Sequence, residues 1–91
     1  MGSKEFLDLC IITVREYARE HMDKSDPGLD FDVYVVWSCK TLQNNKALLS
    51  TSLPDGMYYE CTYNGDKGEV YLDAYKKFEN RVVPLTQAKR I

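Results

Sequence analysis

Side chains able to act as nucleophiles, proton shuttles or metal ligands are few and scattered in this sequence. There is one histidine, His21, and there are three cysteines, Cys10, Cys39 and Cys61. The cysteines are odd in number and show no CxxC spacing, which fits reduced, mostly buried thiols and gives no zinc-type ligand set. His21 falls near the end of a helical pattern, where the C-terminal helix dipole is the simplest account of it. No Ser/His/Asp or Cys/His arrangement assembles from these residues. The stretch NGDKG lacks the GxxxxGK[ST] pattern of a phosphate loop and reads as a hairpin turn. Glu60 and Asp73 could share one sheet face, and paired carboxylates can do acid–base work. More often such groups solvate a sheet surface. The expectation is a non-enzymatic protein without catalytic residues, metal or cofactor.

Aromatic chemistry is the richer vein. Five of the seven tyrosines lie in GMYYECTYNGDKGEVYLDAY, residues 56–75. Tyrosine is a good strand former, and exposed cross-strand aromatic pairs stabilise sheets by up to about 1 kcal/mol. It also supplies rigid contact area with a polar tip, suited to a stacking platform or a dimer face. Which reading applies depends on the elements that position each ring.

Residues 3–22 carry a helical stripe. Phe6, Cys10, Val14, Ala18 and Met22 form an i, i+4 row that Leu9, Thr13 and Tyr17 widen. Ser3 suits the N-cap, and Glu5 and Asp8 suit the positive end of the dipole. DKSDPGLD breaks the helix, because Pro27 cannot continue it and Gly28 permits a turn. From Phe31 the period becomes two: Phe31, Val33, Val35, Trp37 and Cys39 alternate with Asp32, Tyr34, Val36, Ser38 and Lys40. TLQNN is a turn candidate, KALLSTS a second strand, LPDG a turn, MYYECTY a third strand and EVYLDAY a fourth. A turn or short helical stretch follows through KKFENR, and the tail 84–91 is expected to fray. The fold class is therefore α+β: one N-terminal helix on a four-stranded antiparallel meander spanning about 31–76, in a single domain of 91 residues.

Loop lengths assign the rings to faces. A four-residue NGDK loop sets Cys61 opposite Val70 and Tyr59 opposite Leu72 on an apolar, helix-facing side. The other side then pairs Thr62 with Glu69, Glu60 with Tyr71 and Tyr58 with Asp73. Tyr34 joins that outer face with Ser38 and Lys40 if the first strand keeps its alternation. For the second strand, a three-residue PDG loop puts Lys46, Leu48 and Ser50 outside, whereas a four-residue loop puts Leu49 and Thr51 there.

The run VWSCKTLQNNKALLSTSLPDGMYYECTYNGDKGEVYLDAYKKFEN resembles a family of small phage and prophage proteins of Gram-positive bacteria, catalogued as a domain of unknown function. VWSCKTLQN, PDGMYYE, TYNGDK and DAYKKFEN carry the likeness, which extends over roughly residues 4–83. It implies a phage gene product acting in the cytoplasm of the bacterial host, and it implies no activity.

A formal charge of −2 argues against a protein devoted to DNA or RNA, but two or three local cations suffice for a small anion. No membrane-length apolar run and no secretory leader pattern are present. The leading expectation is a counter-defence sponge that sequesters a nucleotide signal, with Tyr34, Tyr58, Tyr71 and Tyr75 stacking on a base. Lys40 and Lys46, with Lys76 and Lys77, would neutralise phosphates, and Asn44, Asn45, Glu60 and Asp73 would line the site. A protein–protein inhibitor of a host or defence enzyme, using the same face, is the alternative. A dimeric scaffold is the third, and a homo-oligomer is expected in either setting.

Overall fold

The computed structural model describes residues 1–22 and 30–88. Helix α1 spans Ser3–Glu20, and strands β1 (Val33–Thr41), β2 (Asn44–Thr51), β3 (Met57–Asn64) and β4 (Glu69–Lys76) follow. They form one antiparallel sheet in the order β1-β2-β3-β4, the expected meander. The expected break at Pro27 and Gly28 lies outside the described residues.

The helical stripe does what its spacing requires. Phe6, Cys10 and Val14 are buried against Ala47, Leu49, Tyr59 and Cys61 of the sheet, and Ala18 is buried as well. Full burial of side chains the size of Phe6 or Leu49 stabilises by ~1.5–3 kcal/mol each. α1 packs on β1, β2 and β3. Beyond it, on the same side of β4, Val70 and Leu72 are half-buried and Ala74 is exposed. Gly2, not Ser3, is the N-cap, and it contributes no side-chain cap. At the other end His21 donates from Nδ1 to the Tyr17 carbonyl at 2.9 Å, and its ring stacks on Tyr17 with 4.1 Å between centroids.

Two registers differ from expectation by two residues, which preserves the faces. Asn64 stays in the ladder opposite Glu69, so Tyr59 meets Ala74 and Cys61 meets Leu72. The cause is the Asn64 side chain: its Oδ1 accepts the N–H groups of Asp66 and Lys67, while Gly68 N–H closes on the Asn64 carbonyl. Gly68 supplies the left-handed conformation (φ 63°) that ends this loop. The loop is thus GDKG rather than NGDK. Between β2 and β3 the ladder ends at Ser50 opposite Tyr58, which matches the facing of the three-residue alternative. Lys46, Leu48 and Ser50 therefore lie on the side away from the helix.

In β1 the expectation fails. The ladder slips between Val35 and Trp37, so Val36 is bulged out of the alternation. Everything after it changes sides. Trp37 and Cys39 face away from the helix, and Ser38 and Lys40 face towards it, the reverse of their expected placing. The stretch after β4 also departs from expectation: residues 77–84 have no regular structure, and a short helix, α2 (Leu85–Ala88), forms further on. Along that arm Phe78, Val82, Val83 and Leu85 are all exposed. No helix among the described residues is long and apolar enough to cross a membrane.

Candidate binding surface

The sheet has one helix on one side and no described element on the other, and the molecule is 18 Å along its shortest axis. The uncovered side is ordered by the registers into three rows, each crossing all four strands. The first is Tyr34, Ser50, Tyr58, Tyr75; the second Trp37, Leu48, Glu60, Asp73; the third Cys39, Lys46, Thr62, Tyr71. Neighbours within a row belong to strands ~4.8 Å apart, close enough for rings and stems to touch. Tyr34, Trp37, Tyr71 and Tyr75 retain between 42% and 51% of their accessible surface.

Seven of the nine residues expected to form a site are brought together here: Tyr34, Lys46, Tyr58, Glu60, Tyr71, Asp73 and Tyr75. Lys40 is not among them, because the Val36 bulge turns it to the helix side. Asn44 stands at the rim, where its Oδ1 accepts the Gly65 N–H at 3.1 Å and braces one turn against the other. Lys76 sits opposite Met57, on the helix-side parity. Trp37 and Leu48 complete the surface. One signal for Trp37 was available in the sequence: Val35, Val36 and Trp37 are three apolar residues in succession, which a clean alternation does not contain.

The three rows hold one internal ion pair and one further carboxylate, Asp73. Lys46 Nζ lies 3.2 Å from Glu60 Oε1. Glu60 stands opposite Asp73, and such a like-charge pair is relieved by the lysine beside it. The Tyr71 hydroxyl donates to the Glu69 carboxylate, and that bond, in which the phenol proton is held, raises the Tyr71 pKa. No group of three or more His, Cys, Asp or Glu side chains among the described residues could hold a metal ion.

A family model described as "Family of unknown function (DUF6275)" matches residues 7–85, and the chain belongs to that family. No curated protein and no solved structure matches the chain.

Proposed function

We propose that this member of the DUF6275 family is a non-enzymatic binding module that docks on a protein surface through its outer sheet face. The observation that carries this reading is the gathering of Tyr34, Trp37, Leu48, Tyr58, Tyr71 and Tyr75 on one face with a lysine–glutamate pair already satisfied within it. Small-molecule sites are concave, whereas protein interfaces are broad, with tyrosine and tryptophan anchors and few unpaired charges at their centre. A nucleotide stacked on the same rings would need cations for its phosphates. Lys46 is engaged by Glu60, and Lys40 belongs to the opposite side of the sheet, so sequestration of a nucleotide on this face has less support. In the phage setting that the sequence resemblance implies, the partner would be an enzyme of the bacterial host or of its defences, met in the host cytoplasm.

Self-association is the second reading, and the C-terminal arm favours it. Phe78 is fully exposed, and Val82, Val83 and Leu85 are largely so. Four such side chains on the arm that follows β4, in a molecule with an uncovered aromatic face, are what one copy would offer another.

Light scattering on the purified chain, with and without Tyr71→Ala/Tyr75→Ala, separates the two. A dimer that the double variant dissolves makes a second copy the occupant. A monomer directs attention to a foreign protein, which must bind wild type stoichiometrically in calorimetry and fail to bind the double variant. A captured protein that binds both forms equally overturns the assignment of this face.

A further inference from the structure

At the hairpin end of the helix-covered side, Lys40, Asn45 and Tyr63 form a row across β1, β2 and β3. The N-terminus of α1 sits over that row. Ser3, Phe6 and Leu7 of the helix and Ser38, Lys40 and Asn45 of the sheet enclose a cleft of about 160 Å³. Every polar side chain on its wall can donate: two hydroxyls, an ammonium and a carboxamide. The N-cap Gly2 brings no side chain to the first turn, so its backbone N–H groups have no capping hydroxyl, and Glu5 is the one carboxylate beside them. Ser3, whose hydroxyl does not cap the helix, is free to serve the cleft instead.

An independent observation points to a missing ligand. Asn45 is 3% exposed, and its Nδ2 has no hydrogen-bond partner among the described residues. A buried amide donor without an acceptor is a rare and costly thing in a folded protein, and an oxyanion in this cleft would complete its bonding. The nearby opposing charges are Glu5, an exposed side chain in the first turn of the helix, and Asp66 beyond Lys40.

We propose that this cleft binds the phosphoryl group of a small phosphorylated molecule. At about 160 Å³ the cleft has room for a phosphoryl group. Lys40 also borders a second, wider cleft of about 520 Å³ lined by Gln43, Tyr63, Gly65 and Asp66. The half-buried Tyr63 ring gives the organic part a stacking partner there, and the Asp66 carboxylate, which also accepts from the Gln43 side-chain amide, gives its hydroxyls an acceptor. Helix N-terminus, lysine and hydroxyls are the groups that recognise phosphate monoesters elsewhere in proteins. The site lies on the opposite side of the sheet from the aromatic face and does not depend on that face's function.

The test is a titration of the isotope-labelled chain, followed by amide resonances, with inorganic phosphate, ribose 5-phosphate and ribose at constant ionic strength. Saturable shifts are expected at the backbone amides of residues 3–5 and at the Asn45 side-chain amide for both phosphates, and none for ribose. Ribose 5-phosphate should bind about tenfold more tightly and also move the Tyr63 ring signals. Lys40→Met replaces an exposed side chain and should leave the melting temperature unchanged while weakening binding by roughly tenfold or more. Glu5→Gln should strengthen it. Shifts that grow linearly without saturating, saturation at other residues, or unchanged affinity in Lys40→Met would overturn the site. Equal affinity for the two phosphates would overturn the organic part of the ligand.

Discussion

Trp37 stands opposite Leu48 on the face turned away from α1, one residue beyond the bulge at Val36. The only tryptophan of the chain therefore lies on the outer face, 42% exposed, rather than in the core. Its emission should be that of a water-exposed indole and should be quenched by acrylamide in the native state nearly as well as in urea. Trp37→Ala should cost less than ~1 kcal/mol of stability, the usual range for surface positions. Strong protection from the quencher in a monomeric sample would contradict the placing of the bulge.

The core makes the opposite demand. Leu49 is fully buried beneath α1. Leu49→Ala should destabilise by ~2–5 kcal/mol, a large share of what a small domain has. Urea denaturation followed by circular dichroism measures it. A loss below that of Trp37→Ala would mean that the helix does not cover this position.

Thiol labelling distinguishes the two sides of the sheet. Cys39 is exposed, whereas Cys10 and Cys61 are buried. The hydrogen bond between Cys10 and Cys61, together with burial, pushes the Cys10 thiol well above its ordinary range, so it stays protonated and inert. One thiol per chain should react quickly with an aromatic disulfide reagent, and all three in denaturant. Cys39→Ser should abolish the fast phase.

Alkaline pH should act through Tyr59. Desolvation by burial, with smaller contributions from Asp55 and Tyr17, raises its phenol above the ordinary 10.0. For an acid whose folded pKa is raised, the contribution to stability is complete below the unfolded value and is lost as pH rises through the folded one. Melting temperature should therefore hold up to about pH 9.5 and fall above about pH 10, the range in which unfolded tyrosines ionise. Tyr59→Phe should flatten that fall, and an unchanged slope would assign it to other groups.

Two glycines offer a matched pair. A Cβ on Gly65 would collide with the Gln43 carbonyl oxygen, whereas on Gly68 it would meet nothing within 4 Å and carry only the strain of φ +63°. Gly65→Ala should cost ~1–3 kcal/mol, as overpacking does, and Gly68→Ala about 1 kcal/mol. Reversal of that order would mean that the two turns are not packed on one another.

Periodicity was enough for the helix stripe, the four strands and their order, because burial on one face imposes a period of 3.6 or 2 on residue type. Face assignments in β3 and β4 survived a two-residue register error for a simple reason: an even shift leaves each side chain on its own side. The odd slip at Val36 had the opposite effect. A bulge adds one residue to one strand, and nothing local in VVWSC compels it beyond three apolar residues in a row. Misplacing it exchanged Trp37 with Lys40, merging two surfaces that the folded chain keeps apart. Asn45 was legible as a polar residue but not as a buried one, since that depends on where α1 begins.

The same bulge governs how sheets could join. An edge strand with an irregular ladder and added local twist is a poor template for a neighbour, and β1 is such an edge. β4, paired in unbroken register from Glu69 to Lys76, is the regular edge. Strand addition between copies would thus proceed β4 to β4, about a two-fold axis, and stop at eight strands. Head-to-tail stacking through β1, the arrangement that grows into fibres, is obstructed by a single inserted valine.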